Sequence, residues 1–135
     1  MHPILIPTLN YRKPKEAMVF LEKAFGFKRG LIHEDNNGII VHAQITYKNA
    51  MIMLSEAYTS EYHKLIKVPN DLEGLNTQSP FIIIPEEELE AHYQKAKING
   101  AEIVIELVEE PHGKGYTCKD PEGHLWNFGT YNPFI

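Results

Sequence analysis

"KDPEGHLWNFGTY", residues 119–131, holds a turn and a strand in one short stretch. Asp120 suits the first turn position, Pro121 presets φ at the second, and Gly123 tolerates positive φ, so a type I turn closed by a glycine bulge is predicted. Such a loop sets Asp120 opposite His124, Cys118 opposite Trp126 and Thr117 opposite Asn127. Cross-strand partners share a face. Tyr116, Cys118, Trp126 and Phe128 therefore fall on one side of the hairpin, and Thr117, Leu125, Asn127 and Gly129 on the other. The bulky set is expected under helices, which leaves Asn127 facing a concavity.

Working outward, the same element order occurs twice. "ILIPTLNY" (4–11) reads as a strand, and "PKEAMVFLEKAFGF" (14–27) as a helix with Ala17, Leu21, Ala24 and Phe25 on one face, Pro14 in its first turn and Gly26 at its stop. "FKRGLIHED", "IIVHAQITY" and "AMIMLSEAY" follow as strands, divided by the hairpin signals "NNG" and "KN". After an irregular stretch at 59–79, "PFIII" reads as strand and "PEEELEAHYQKAKING" as helix, with Pro85 and three glutamates at its start and Asn99 and Gly100 at its end. "AEIVIELVEE", "KGYTCKD" and "HLWNFGTY" complete the second set. The fold class is thus α+β, with two βαβββ modules at a period of roughly seventy residues, far beyond that of a solenoid repeat. Module 1 spans about 1–58, the linker 59–79 and module 2 80–135, all within a single domain covering 1–135.

Composition narrows the function classes. The chain is 43% hydrophobic and 23% charged with a formal net charge of -5, and its Lys and Arg are interleaved with acids, which argues against nucleic acid as a partner. Its one cysteine, Cys118, cannot form an internal disulfide. No apolar run approaches membrane-spanning length, and the N-terminal "MHPILIPTLNYRKPK" lacks the basic start of a signal peptide. A cytoplasmic protein with no membrane partner is expected.

The helix "AMVFLEKAFGF" after a first strand, and "GYTCKDPEGHLWNFGTY" near the end, resemble the vicinal-oxygen-chelate superfamily, the group of glyoxalase I, bleomycin-resistance proteins, fosfomycin-resistance enzymes and extradiol dioxygenases. The resemblance extends over essentially the whole chain. It implies a curved, cup-like mixed sheet with helices on the convex side, and a homodimer with sites at or near the interface. In the metal-dependent members a Glu on the last strand binds a divalent cation, together with ligands from the first, fourth and fifth strands. Carried over residue by residue, those positions hold Asn127, Ile6, Met53 and Phe81 here. Three apolar side chains and one amide make a poor set for a hard cation. No cofactor is therefore expected. The alternative, a divalent metal, would need Glu56 with His42, and a register slip that reverses the face of the fourth strand.

Candidate site residues follow from strand parity. In "IIVHAQITY", alternation assigns Val41, Ala43, Ile45 and Tyr47 to the core and Ile40, His42, Gln44 and Thr46 to the concavity. His42 is the candidate acid or base, or else a solvated side chain of an open sheet face. The expected ligand-binding set is Ile6, His42, Gln44, Met53, Phe81, Thr117 and Asn127. His33 with Glu34 and Asp35 reads as a solvated hairpin end, His63 and His92 as surface, Cys118 as an inert buried thiol, and His112 as a loop residue that could border the cup. No Ser/His/Asp arrangement is identifiable. Phe20, Phe25, Trp126 and Phe128 read as core, whereas Tyr58, Tyr62, Tyr131 and Phe134 are left for the mouth of the cup or a subunit contact. The long linker, with Tyr62, Leu65, Ile66 and Val68, is expected to cover the cup or meet a second subunit. The function expected is a metal-free, glyoxalase- or bleomycin-resistance-like homodimer holding a small organic ligand, drug or metabolite, with the acidic balance favouring a cationic guest. The competing expectation is an enzyme of lyase, isomerase or dioxygenase type, using an atypical metal site or His42 chemistry.

Overall fold

The computed structural model describes residues 2–58 and 60–135. Module 1 contains β1 (Thr8–Tyr11), α1 (Pro14–Phe20), β2 (Lys28–Glu34), β3 (Ile40–Tyr47) and β4 (Ala50–Glu56). Module 2 contains β5 (Phe81–Ile83), α2 (Glu86–Ile98), β6 (Glu102–Glu110), β7 (Gly113–Lys119) and β8 (Leu125–Gly129). Each module forms one four-stranded mixed sheet, in the orders β1-β4-β3-β2 and β5-β8-β7-β6, with the first and last strands parallel. The repeat inferred from element order is therefore a repeat of topology as well. No helix among the described residues is long and apolar enough to cross a membrane.

Pro14 opens α1 where a missing amide hydrogen costs nothing, and the helix continues through a π turn at Leu21–Phe25 before Gly26 ends it at φ +86°. Its apolar stripe buries Ala17, Met18, Leu21, Ala24 and Phe25. Helix α2 carries Glu86, Glu87 and Glu88 in its first turn and Lys95 and Lys97 in its last, which complements the helix dipole, and it buries Leu89, His92, Tyr93 and Ala96. Both helices and the inner faces of both sheets contribute to one core. At its centre the Phe25 ring lies 5.4 Å from Trp126, 4.8 Å from Phe128 and 5.2 Å from Phe20, so the first module's helix packs directly on the second module's sheet. Phe20, Phe25, Trp126 and Phe128 are all core.

The turn at 120–124 joins the modules. It has the expected register, with Cys118 opposite Trp126 and Thr117 opposite Asn127. The Asp120 carboxylate is 4% exposed and accepts from Tyr11 Oη at 2.5 Å, Trp126 Nε1 at 3.1 Å and the amides of Glu122 and His124. Burial, reinforced by the Asp120 charge, pushes the Tyr11 phenol well above its ordinary value. Glu122 accepts the Arg12 and Lys13 amides at 2.5 and 2.9 Å, holding the chain where it enters α1, while the His124 ring bonds the Asn10 carbonyl at 2.7 Å. Gly123 sits at φ +92°, and a Cβ there would lie 2.2 Å from Asn70 Oδ1, so only glycine fits.

Three expectations are corrected. Strict alternation along β3 fails at its start: Ile40 is wholly buried, and Val41 is only half-buried and faces outward beside His42. The pairing steps from His33↔His42 to Glu34↔Ile40, which leaves Val41 as the extra residue of a bulge and inverts parity before it. His92 is buried, not on the surface, bonded to Tyr116 Oη at 2.7 Å and to the Phe25 carbonyl at 3.1 Å; burial drives its pKa down to about 4. The first strand begins at Thr8 instead of 4, so Ile6 precedes the sheet.

Candidate functional site

Because the inner faces of both sheets are consumed by the common core, function has to be sought on their outer faces. On the first sheet, β4 alternates Ile52 and Leu54 inward with Met53 and Ser55 outward. From β3, Val41 and His42 join that outer face. The segment after β4 folds over it through a short 3-10 turn at Tyr62–Lys64. Together they border a half-open cavity of about 300 Å³, walled by Leu9, Val41, Met53, Tyr58, Tyr62 and Ile66, with Thr8, His42, Ser55, Ser60 and His63 supplying the polar groups. Among the described residues that line it, none carries a carboxylate, ammonium or guanidinium.

His63, expected on the surface, organises this cavity. Its Nδ1 lies 2.6 Å from Ser60 Oγ and its Nε2 3.2 Å from Ser55 Oγ, and its ring sits 4.4 Å from Tyr58 and 5.4 Å from Tyr62. The backbone amide of His63 also donates to Ser60 Oγ at 3.1 Å. Nothing in the sequence pointed to this Ser–His–Ser chain, since Ser55 lies within β4 and His63 in the linker. On β3, the Gln44 side-chain amide lies 3.0 Å from His42 Nε2 and holds the imidazole in place.

The second sheet's outer face is built differently. Asn127 Oδ1 accepts from Thr117 Oγ1 at 2.8 Å, and its Nδ2 donates to Ser79 Oγ and to the Pro80 carbonyl, both at 3.1 Å. The amide that interrupts the aromatic run thus ties β7, β8 and the approach to β5 together. Around it, Phe81, Ile105, Val108, His112 and Tyr131 line a smaller cavity of about 180 Å³. His112 packs edge-on to Tyr131 at 5.4 Å.

The expected binding residues therefore divide. His42 and Met53 line the first cavity, Phe81, Thr117 and Asn127 line the second, and the two cavities share no residue. Ile6 lines a third depression of about 510 Å³ between β1 and the 75–80 segment, and Gln44 is held through His42. Glu56 is not brought to His42: its carboxylate accepts the Ile40 amide at 3.2 Å, in line with the inward Leu54 and Ile52. At the solvated hairpin end, Asp35 accepts the Asn37 and Ile39 amides. The Cys118 thiol is fully buried, and desolvation, aided by Asp120, pushes it up to about 12, which leaves it inert at neutral pH.

Residues 4–128 match the family described as Glyoxalase/Bleomycin resistance protein/Dioxygenase superfamily. The chain belongs to this superfamily. Similar solved structures include TioX from Micromonospora sp. ML1, 23% identical over 97% of this chain and 100% of that one with a TM-score of 0.71, and UcmS2, 18% identical over 96% and 99% with the same score. The fosfomycin resistance protein FosX from Listeria monocytogenes, solved with Mn(II), is 14% identical over 98% and 93%, at a TM-score of 0.69. No curated protein matches the sequence. At these identities the superfamily likeness to solved structures is one of fold.

The resemblance placed a superfamily cation among Ile6, Met53, Phe81 and Asn127, and these residues do not fit one. Three have no hard donor, and the Asn127 oxygen already accepts from Thr117. Among the described residues no three His, Cys, Asp or Glu side chains gather as a metal set.

Proposed function

We propose that the protein is a small-molecule-binding homodimer of the superfamily that holds its ligand without a metal ion, in the cavity on the outer face of the first sheet. The observation that carries this reading is the cavity itself: about 300 Å³, apolar walls, and a few convergent polar groups from His42, Ser55 and His63, the usual make-up of a small organic ligand's site. The unfit donor set at the superfamily's cation positions supports the metal-free part. Support for the dimer comes from the outer surface of module 2, where Phe81, Val104, Ile105, Val108 and Tyr131 are each 43–55% exposed, an apolar surface suited to a second copy. A single buried cysteine accords with the cytoplasm.

A thermal-shift screen of planar organic compounds in the presence of a chelator tests the reading. Saturable stabilisation by at least one compound is expected, about 2.7 kcal/mol at a hundredfold excess over Kd. No saturable hit, or hits that vanish with the chelator, would contradict it. The competing reading, acid–base catalysis through His42, draws on that residue's place in the cavity wall. It predicts turnover of a hit that His42→Ala abolishes.

A further inference from the structure

We propose that the first-sheet cavity is specific for planar organic anions, carboxylates in particular, and that Ser55 is the donor that selects them. The proposal rests on the binding reading above and narrows it to a ligand class.

Either tautomer of His63 can bridge Ser60 and Ser55, and the distances favour one of the two. A separation of 2.6 Å is shorter than the range of about 2.7–3.2 Å for N–H donors and fits a hydroxyl donor, so Ser60 donates to Nδ1. The proton of the ring is then on Nε2, and the 3.2 Å separation to Ser55 Oγ is that of an N–H donor. The His63 amide feeds the same chain, because Ser60 Oγ accepts from it at 3.1 Å. Amide to Ser60, Ser60 to imidazole, imidazole to Ser55: every bond points the same way. With its oxygen engaged as acceptor, Ser55 has its own hydrogen left to give, on the outward face of β4. Aligned bonds polarise one another, so the last donor is strengthened.

This polarity makes Ser55 a proton donor and not a nucleophile, and it favours an acceptor that carries charge, since charge-assisted bonds are about twice as strong as neutral ones. Among the described residues the wall holds no carboxylate to pair a cationic guest and no ammonium or guanidinium to pair an anionic one, so the preference for an anion rests on the Ser55 hydrogen. The net charge of -5 favoured the opposite guest, but that charge is spread over the chain while the cavity holds only neutral donors and apolar walls. Tyr58 and Tyr62, which flank the His63 ring, give the ligand's plane something to stack on.

Titration calorimetry with three probes of one shape separates the outcomes: 2-naphthoate, the uncharged 2-naphthamide and the cationic 2-naphthylmethylammonium. The naphthoate is expected to bind at least tenfold tighter than the amide, and the ammonium weakest. Ser55→Ala should weaken naphthoate at least tenfold and the amide, whose carbonyl accepts the same hydrogen, by less, so that the preference between the two is lost. His63→Phe, which retains a ring between the two tyrosines but breaks the chain of donors, should do the same. Equal or tighter binding of the amide or the ammonium would overturn the anion specificity and leave the binding reading intact. A naphthoate preference that survives both substitutions would also overturn it. Failure of all three probes, alongside a blank screen, would remove the binding reading itself.

Discussion

The outer faces of the two modules rest on the same strand order and carry opposite surfaces. On the first, side chains leave polar groups over: His42 is held by Gln44, and Ser55 stands at the end of the His63 chain. On the second, Asn127 spends its whole amide on Thr117, Ser79 and Pro80, and the cavity around it is lined by Phe81, Ile105, Val108 and Tyr131 together with Glu110, His112 and Lys114. Topology was duplicated and the site was not. A repeated fold fixes where a side chain stands; whether it is free to meet a ligand depends on how many of its bonds the protein has already used.

The inner faces behave in the reverse manner, with both modules contributing to one hydrophobic core that the buried Asp120 ties together, and the strongest way to break the comparison is to attack that shared part. Asp120→Ala would strand the Tyr11 hydroxyl, the Trp126 indole and two amides in the interior. A loss of about 3–5 kcal/mol in urea unfolding is expected, with signals from both modules lost together. A separate, earlier transition for module 2 would show that the turn does not couple them.

A pH series gives a comparable effect. The folded chain holds the His92 imidazole at about 4 through burial, against about 6.5 when unfolded, so on acidification the unfolded chain takes up a proton first. Stability from this residue is therefore complete above about pH 6.5, declines as pH falls, and stops declining near pH 4, a total of about 3 kcal/mol. His92→Gln should remove that slope from the curve of unfolding free energy against pH.

Smaller effects sharpen the contrast between the outer faces. Asn127→Glu restores the superfamily's carboxylate but loses two donated bonds, and should cost about 1–2 kcal/mol. Calorimetry with Mn(II) or Zn(II) should still detect no site, because Ile6, Met53 and Phe81 offer no hard donors; tight stoichiometric binding would refute the metal-free account. Ile105→Asp with Val108→Asp, on the exposed apolar surface, should change monomer stability by no more than about 0.5 kcal/mol. Light scattering should nevertheless report a monomer for this variant and a dimer for the parent protein.

The fold was legible because its signals are local. Period-2 and period-3.6 patterns, Pro14 and Gly26 around a helix, and the Asp120–Gly123 turn each act over a few residues, and the hairpin register that opposes Thr117 to Asn127 follows from turn length alone. Parity failed only where a bulge inserted Val41. The candidate site was less legible, since a hydrogen bond between Ser55 and His63 depends on how an irregular segment folds back, which no periodicity encodes. What signal existed lay in the length of that segment and in the two tyrosines, Tyr58 and Tyr62, that precede His63. His92 was misplaced because a histidine on a mostly polar helix reads as exposed until its partners, Tyr116 and the Phe25 carbonyl, are known.

Amide chemical-shift mapping of the leading screen hit, recorded with chelator present, puts the central claim to the most direct test. Perturbations are predicted to cluster at residues 41–42, 53–55 and 60–66 and to saturate with one ligand per chain. A cluster confined to 105–117 and 127, or shifts that appear only when a divalent metal is added, would contradict it.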